Sequence, residues 1–164
     1  MQNPALILVH PGSLAAHGGS CALDDAVREI ENHDGPIVVI DGFLSDKTAP
    51  YDDRLRAAFS RAEQIGHFAL RLWGCDGGEH PFAQWPGYKT PGISIQMVHN
   101  CQEKAAAQLS EILSGRNAVL SGAWATYDQT SGCVTSVGQA LKRAGWAGTY
   151  TMSENVLYEE DHDI

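Results

Sequence analysis

Residues Ala118 to Ala144, AVLSGAWATYDQTSGCVTSVGQALKRA, decide how the chain is read. The apolar run Ala118–Ser121 predicts a buried strand, and a polar loop punctuated by Gly122 and Gly132 follows it. Val134, Val137 and Leu141 then fall on one face of a predicted helix. That helix is expected to begin near Ser131. It carries Lys142 and Arg143 where its dipole favours positive charge, and it stops at Gly145. Strand, loop and helix in this order form the repeating unit of a parallel α/β sheet.

The same unit recurs upstream. Ala5–Val9 and Ile37–Ile40 are short and wholly apolar, as strands covered on both faces are. Between them Ser20 reads as an N-cap, and Leu23, Ala26, Val27 and Ile30 form the stripe of an amphipathic helix ended by Gly35 and Pro36. A second helix, with Pro50 in its first turn, buries Tyr51, Leu55, Ala58, Phe59 and Ala62. His67–Trp73 alternates, and Arg71 within it marks an edge strand. Asn100 and Glu103 have capping-box spacing for a third helix. Thr149–Met152 and Asn155–Tyr158 are weaker strands, an extra strand is expected near Ile93–Val98, and the acidic tail 159–164 reads as frayed.

The expected fold is therefore one Rossmann-like α/β domain over residues 1–164, a three-layer α/β/α sandwich. Its mainly parallel sheet has five or six strands in the order 3-2-1-4-5. In such sheets ligands bind beyond the carboxyl ends of the strands, where the winding reverses. That rule brings the loops His10–Ser20 and Gly122–Gly132 together. The Gly74–Val98 stretch, long and rich in aromatics, leaves the same edge and is expected to fold over it or into a second subunit.

Composition narrows the partners. A net charge of −9 without a basic cluster argues against nucleic acid and anionic membrane. No apolar run is long enough to cross a bilayer and no leader precedes Ala5, so a cytoplasmic protein is expected. Cysteines 21, 75, 101 and 133 lie far apart and read as reduced thiols. Neither the pair His99 and Cys101 nor the pair Cys75 and His80 has a standard zinc spacing, so no metal and no cofactor are expected.

Cys133 is the sharpest candidate for chemistry. A thiol in a helix's first turn faces unpaired N–H groups and a positive dipole end, both of which favour thiolate. As a small apolar residue it would equally suit the seam between helix and sheet. His10, at the end of the first strand, could act as a base, or could simply hydrogen-bond a turn. The loop HPGSLAAHGGS, with Ser13, could hold a substrate or a phosphate through backbone N–H groups, though it matches no dinucleotide or Walker pattern. Asp41, before Gly42, reads as a strand-end turn. Trp85, Tyr88, Trp124 and Tyr127, with Gly122, are the candidate substrate-binding residues, and the aromatics among them could instead pin a long loop.

The run SGAWATYDQTSGCVTSVGQALKRAGW resembles the strand–loop–helix of the isochorismatase-like cysteine hydrolases, over the last third of the chain. Cys133, Val134 and Gly145 match the family's nucleophile, the valine after it and the helix-ending glycine. The resemblance implies attack by Cys133 on a small amide or ester, with no cofactor. The family also carries an aspartate after the first strand and a lysine beyond the third. Here the first strand ends in His10, and Lys89 lies in the segment where the lysine would fall. Three functions follow as expectations: a cysteine hydrolase, a non-catalytic ligand-binding or scaffold member of the same fold, and a nucleotide- or phosphate-binding domain. The exposed edge and the 74–98 loop are candidate surfaces for a homo-oligomer.

Overall fold

All five residues of β1, Ala5–Val9, are buried, because helices lie on both faces of the sheet. The computed structural model describes residues 2–11, 13–14, 18–41, 53–64, 68–73, 98–99 and 102–161. The strands are β1, β2 (Ile37–Asp41), β3 (Phe68–Trp73), β4 (Val98–His99), β5 (Ala118–Ala125), β6 (Tyr150–Met152) and β7 (Leu157–Tyr158). The helices are α1 (Gly19–Asn32), α2 (Asp53–Gln64), α3 (Gln102–Leu113) and α4 (Cys133–Arg143), and a 3-10 turn covers Glu159–Asp161.

Every pairing in the sheet is parallel, in the order β4-β3-β2-β1-β5-β6, with β7 on the later half of β5. This is the expected order with one strand added outside β3. The addition corrects the edge assignment only in part, since β4 pairs β3 at Leu72 and Trp73, beyond Arg71. Alternation along β1 divides the core. Ile7 and Val9 pack with Leu109 of α3 and Val134, Val137 and Leu141 of α4. Leu6 and Leu8 pack with Leu23 and Ile30 of α1 and Leu55 and Phe59 of α2. Each such buried side chain stabilises the fold by about 1.5–3 kcal/mol relative to exposure.

Three local expectations are corrected. Helix α1 starts at Gly19 with Gly18 as its N-cap, ahead of Ser20, and no side chain caps it. Strand β5 does not stop at Ser121; it continues to Ala125, with a cis peptide between Ala123 and Trp124. The acidic segment is not frayed at 159–161, which turns back onto the loop after β5. Pro50, Asn100 and most of the 74–98 stretch lie outside the described residues.

Candidate functional site at the carboxyl edge of the sheet

Helix α1 carries the chain from β1 to β2 over one face, and α4 carries it from β5 to β6 over the other. The winding therefore reverses between β1 and β5, the position where open α/β sheets bind ligands. Val9 and Gly122 are paired at that point. Gly122 has φ +104, and a Cβ there would stand 2.0 Å from the Val9 carbonyl oxygen. Only glycine lets the two backbones come so close. Gly122 thus sits inside a strand and seals β5 against β1, which corrects its expected place at the start of the loop after that strand.

His10 follows directly. Its N–H donates to the Ile40 carbonyl at 2.9 Å, and its own carbonyl accepts the Ser13 N–H at 2.9 Å. These two bonds hold a tight turn, with His10 at φ 47 and half-buried. Ser13 is half-buried in the same turn, and Leu14 behind it is buried in the α1–α2 core. The β1 loop and the β5 exit therefore share one edge of the sheet, as expected.

Cys133 is the first residue of α4 and a free, half-buried thiol. Its N-cap, Gly132, has φ 109 and supplies no side-chain cap. A Cβ on Gly132 would lie 2.2 Å from the Trp124 carbonyl oxygen, so this glycine brings the helix start onto the end of β5. The first intrahelical bond there runs from the Ser136 N–H to the Gly132 carbonyl. The N–H groups at the head of α4 thus precede its hydrogen-bond ladder, the arrangement that can hold a developing oxyanion.

Burial pushes the Cys133 thiol up from its ordinary value, and its own backbone N–H only partly offsets this. Desolvation outweighs that N–H, so the resting group is the neutral thiol. The native state favours that neutral form. Its contribution to stability is present below the unfolded thiol's pKa and is lost as pH rises through the higher folded value. Alkylation by iodoacetamide should accordingly be slow at pH 7 and inflect above pH 9, the thiol's ordinary value. A plateau already reached at neutral pH would contradict the desolvated setting.

The loop between β5 and α4 is closed by its own polar groups. Asp128 Oδ1 accepts the Thr126 hydroxyl at 2.7 Å, the Thr130 hydroxyl at 2.8 Å and the Thr130 N–H at 3.1 Å. The Thr126 N–H donates to the Ser131 carbonyl at 3.1 Å, and the Ser131 N–H to the Thr126 hydroxyl at 3.3 Å. The hydroxyl bonds, Thr126 first, hold the Asp128 carboxyl below its ordinary value.

Tyr127, weighed as pocket lining or as a loop anchor, makes its contacts with the acidic segment after β7. It is 55% exposed, and its ring stacks on Tyr158 with centroids 4.8 Å apart. Its N–H meets both carboxylate oxygens of Glu160 at 3.2 Å, and its hydroxyl donates to Asp161. The bond to Asp161, with burial and the neighbouring carboxylates, pushes the phenol up to about 12. The sign follows: the stabilisation is full below the ordinary pH 10 and is lost as pH rises through about 12. Alkaline difference absorbance should show one phenol titrating near pH 12 that is missing from Tyr127→Phe. No such late component would remove the Asp161 bond from the account.

Trp124 is half-buried against the α1–α2 core, whereas Cys133 packs against the α3–α4 core. The two side chains therefore pack against different cores. Lys89, Trp85 and Tyr88 lie outside the described residues. Among the described residues no group of three His, Cys, Asp or Glu side chains could hold a metal ion. No helix among them is long and apolar enough to cross a membrane.

Sequence reading missed a polar tie on the α1 face. Glu29 accepts the Ser153 hydroxyl and, at 3.1 Å, the Asn155 amide. This joins α1 to the turn after β6 beside a cavity of about 370 Å³ toward the amino edge of the sheet. No periodicity could have shown it, because the partners are 124 and 126 residues apart. No protein-family model matches this chain, and neither a curated protein nor a solved structure matches it.

Proposed function

We propose that the chain is a small cysteine-dependent hydrolase of the isochorismatase-like type, acting on a small amide or ester. The observation that carries this reading is Cys133 at the first position of α4, at the edge where β1 and β5 part. A base takes the thiol proton, the thiolate attacks the substrate carbonyl, and the helix-end N–H groups receive the oxyanion. The leaving amine or alcohol departs with that proton, and water then cleaves the thioester to free the acid and regenerate the thiol.

Because burial keeps the thiol neutral, the base is indispensable. His10 fits the role by its place at the end of β1, and Lys89 is the second candidate. The net charge of −9 suits a neutral or cationic small molecule better than a nucleic acid. A reduced catalytic thiol suits a cytoplasmic setting, and assembly into a homo-oligomer is part of the same proposal. Screening small esters and amides against wild type, Cys133→Ser and His10→Gln tests the reading. Loss of the base should cost about 10²-fold or more in kcat/KM. No turnover across the screen would end the hydrolase reading.

One observation favours a second reading. A thiol pushed up by burial, in a chain whose first strand ends in His10 where the family has an acid, is also what a non-catalytic member would carry. In that reading the edge binds a small ligand without turning it over. A thermal shift with substrate analogues but no hydrolysis would support it, since selective binding to the native state raises stability. The nucleotide- and phosphate-binding reading is tested in the same format with nucleotides.

A further inference from the structure

The tie between Glu29 and the turn after β6 engages only half of a carboxylate. Glu29 Oε2 accepts the Ser153 hydroxyl and, at 3.1 Å, the Asn155 amide. The turn is itself fixed. The Asn155 N–H donates to the Ser153 hydroxyl at 3.0 Å, and the Ser153 N–H to the Leu120 carbonyl at 2.8 Å. Glu29 Oε1, by contrast, is buried and accepts no hydrogen bond among the described residues. A buried carboxylate oxygen without a donor is costly, and a group that supplies one removes the cost. Glu29 lines the cavity of about 370 Å³ at the amino edge of the sheet, so the cavity is where such a donor can enter. A modest turn about the last side-chain torsion, which is broad in glutamate, brings Oε1 toward it.

We propose that this cavity binds a small organic cation, an alkylammonium or guanidinium group, with Glu29 as its counter-ion. The charge of the walls selects a cation. Asp25 and Arg28 neutralise one another at 3.2 Å, and the His33 ring is bonded through Nε2 to the Pro4 carbonyl at 2.9 Å. Glu29 and the exposed Glu154 are left with no basic partner among the described residues. The rest of the wall selects an organic group. Leu6 and the half-buried Val119, neighbours on β1 and β5, give an alkyl stem an apolar surface. A bare metal ion does not suit, because among the described residues no three His, Cys, Asp or Glu side chains are grouped to hold one. The Ser153 and Asn155 bonds orient the carboxylate in advance, which lowers the entropy lost on binding. The cavity lies at the opposite edge of the sheet from Cys133, so the proposal does not rest on the hydrolase reading.

The test is a titration of the full, isotope-labelled chain with n-butylammonium chloride at neutral pH, followed by amide NMR shifts. Tetramethylammonium chloride at equal ionic strength is the control. Shifts should saturate at Leu6, Val119, Glu29 and Asn155 with a Kd of about 1 mM or tighter, a range open to so small a ligand. Tetramethylammonium carries the charge but has no N–H to donate, and should bind at least about tenfold more weakly. Glu29→Gln keeps an acceptor for Ser153 and Asn155 and removes the charge. It should weaken butylammonium by about tenfold or more, what one charge-assisted hydrogen bond contributes. Glu154→Gln, at an exposed position, should weaken it by about twofold or less. The wild-type comparison of the two cations decides the matter even where Glu29→Gln does not fold. Absence of saturation at about ten times the expected Kd would overturn the site. So would equal responses to the two cations, shifts spread over the other acidic surfaces, or unchanged affinity in a folded Glu29→Gln.

Discussion

Cys133→Ser is expected to lower kcat/KM on any turned-over ester or amide by at least about 10³-fold, the scale at which a nucleophile's loss is felt. The hydroxyl occupies nearly the same space, so this is a test of chemistry rather than packing. A thiol is far easier to deprotonate and intrinsically more nucleophilic. A base poised to activate a desolvated thiol would not activate a serine hydroxyl to a comparable extent. Stability should change by less than about 1 kcal/mol, because the side chain is half-buried and the swap leaves no cavity. Steady-state kinetics with urea unfolding of the same samples separates the two effects. Wild-type turnover in Cys133→Ser would end the cysteine mechanism, and a collapse in stability would make the residue a packing element.

Gly122→Ala is expected to cost about 4 kcal/mol or more, enough to leave a marginally stable domain largely unfolded. Two effects combine there. The added Cβ would stand 2.0, 2.7 and 2.8 Å from the carbonyl oxygen, nitrogen and carbonyl carbon of Val9. All three are backbone atoms of the neighbouring central strand, so no side chain can swing away. The φ of +104 is also unfavourable for any residue with a Cβ. Relief would require β1 and β5 to separate where Val9 pairs with Gly122, beside the proposed site. Gly145→Ala is the control. Its φ is +85, but nothing lies within 4 Å of the added methyl. It carries the conformational penalty alone, about 1–2 kcal/mol. Equal losses in the two variants, measured by urea unfolding, would show that β1 and β5 can part freely and that the seam is not tight.

These two effects lie on different links of the same chain. Gly122 joins the strands whose divergence opens the edge, and Gly132 brings the head of α4 to it. Cys133 stands at that head without a capping side chain. The chemistry proposed for the thiol therefore depends on two close backbone approaches as much as on any reactive group.

The layered α/β architecture and its strand order were determined by local sequence signals. Ala5–Val9 and Ile37–Ile40 are too apolar to face water on either side, and the stripes in α1, α2 and α4 supply the layers that cover them. The handedness of crossovers then leaves few ways to order the strands. Cys133 at the head of a helix was legible for the same reason, since a glycine-marked loop followed by a regular apolar stripe locates a helix start within a residue or two.

Other features were decided only by contacts between segments far apart in the chain. Gly122 looked like the end of a strand because glycine usually breaks one, yet its lack of a Cβ is what lets β5 run on beside β1. Glu160 and Asp161 looked like a solvated tail, and they dock because Tyr127, more than thirty residues earlier, offers an N–H and a hydroxyl to receive them. Trp124 and Cys133 are near in sequence but pack against opposite cores, a division made by the face of the sheet each one meets. The acidity of Cys133 is the plainest case. Sequence places the thiol at a helix start, where a lowered value is expected, whereas burial, a property of the folded molecule alone, raises it against the pull of its own backbone N–H.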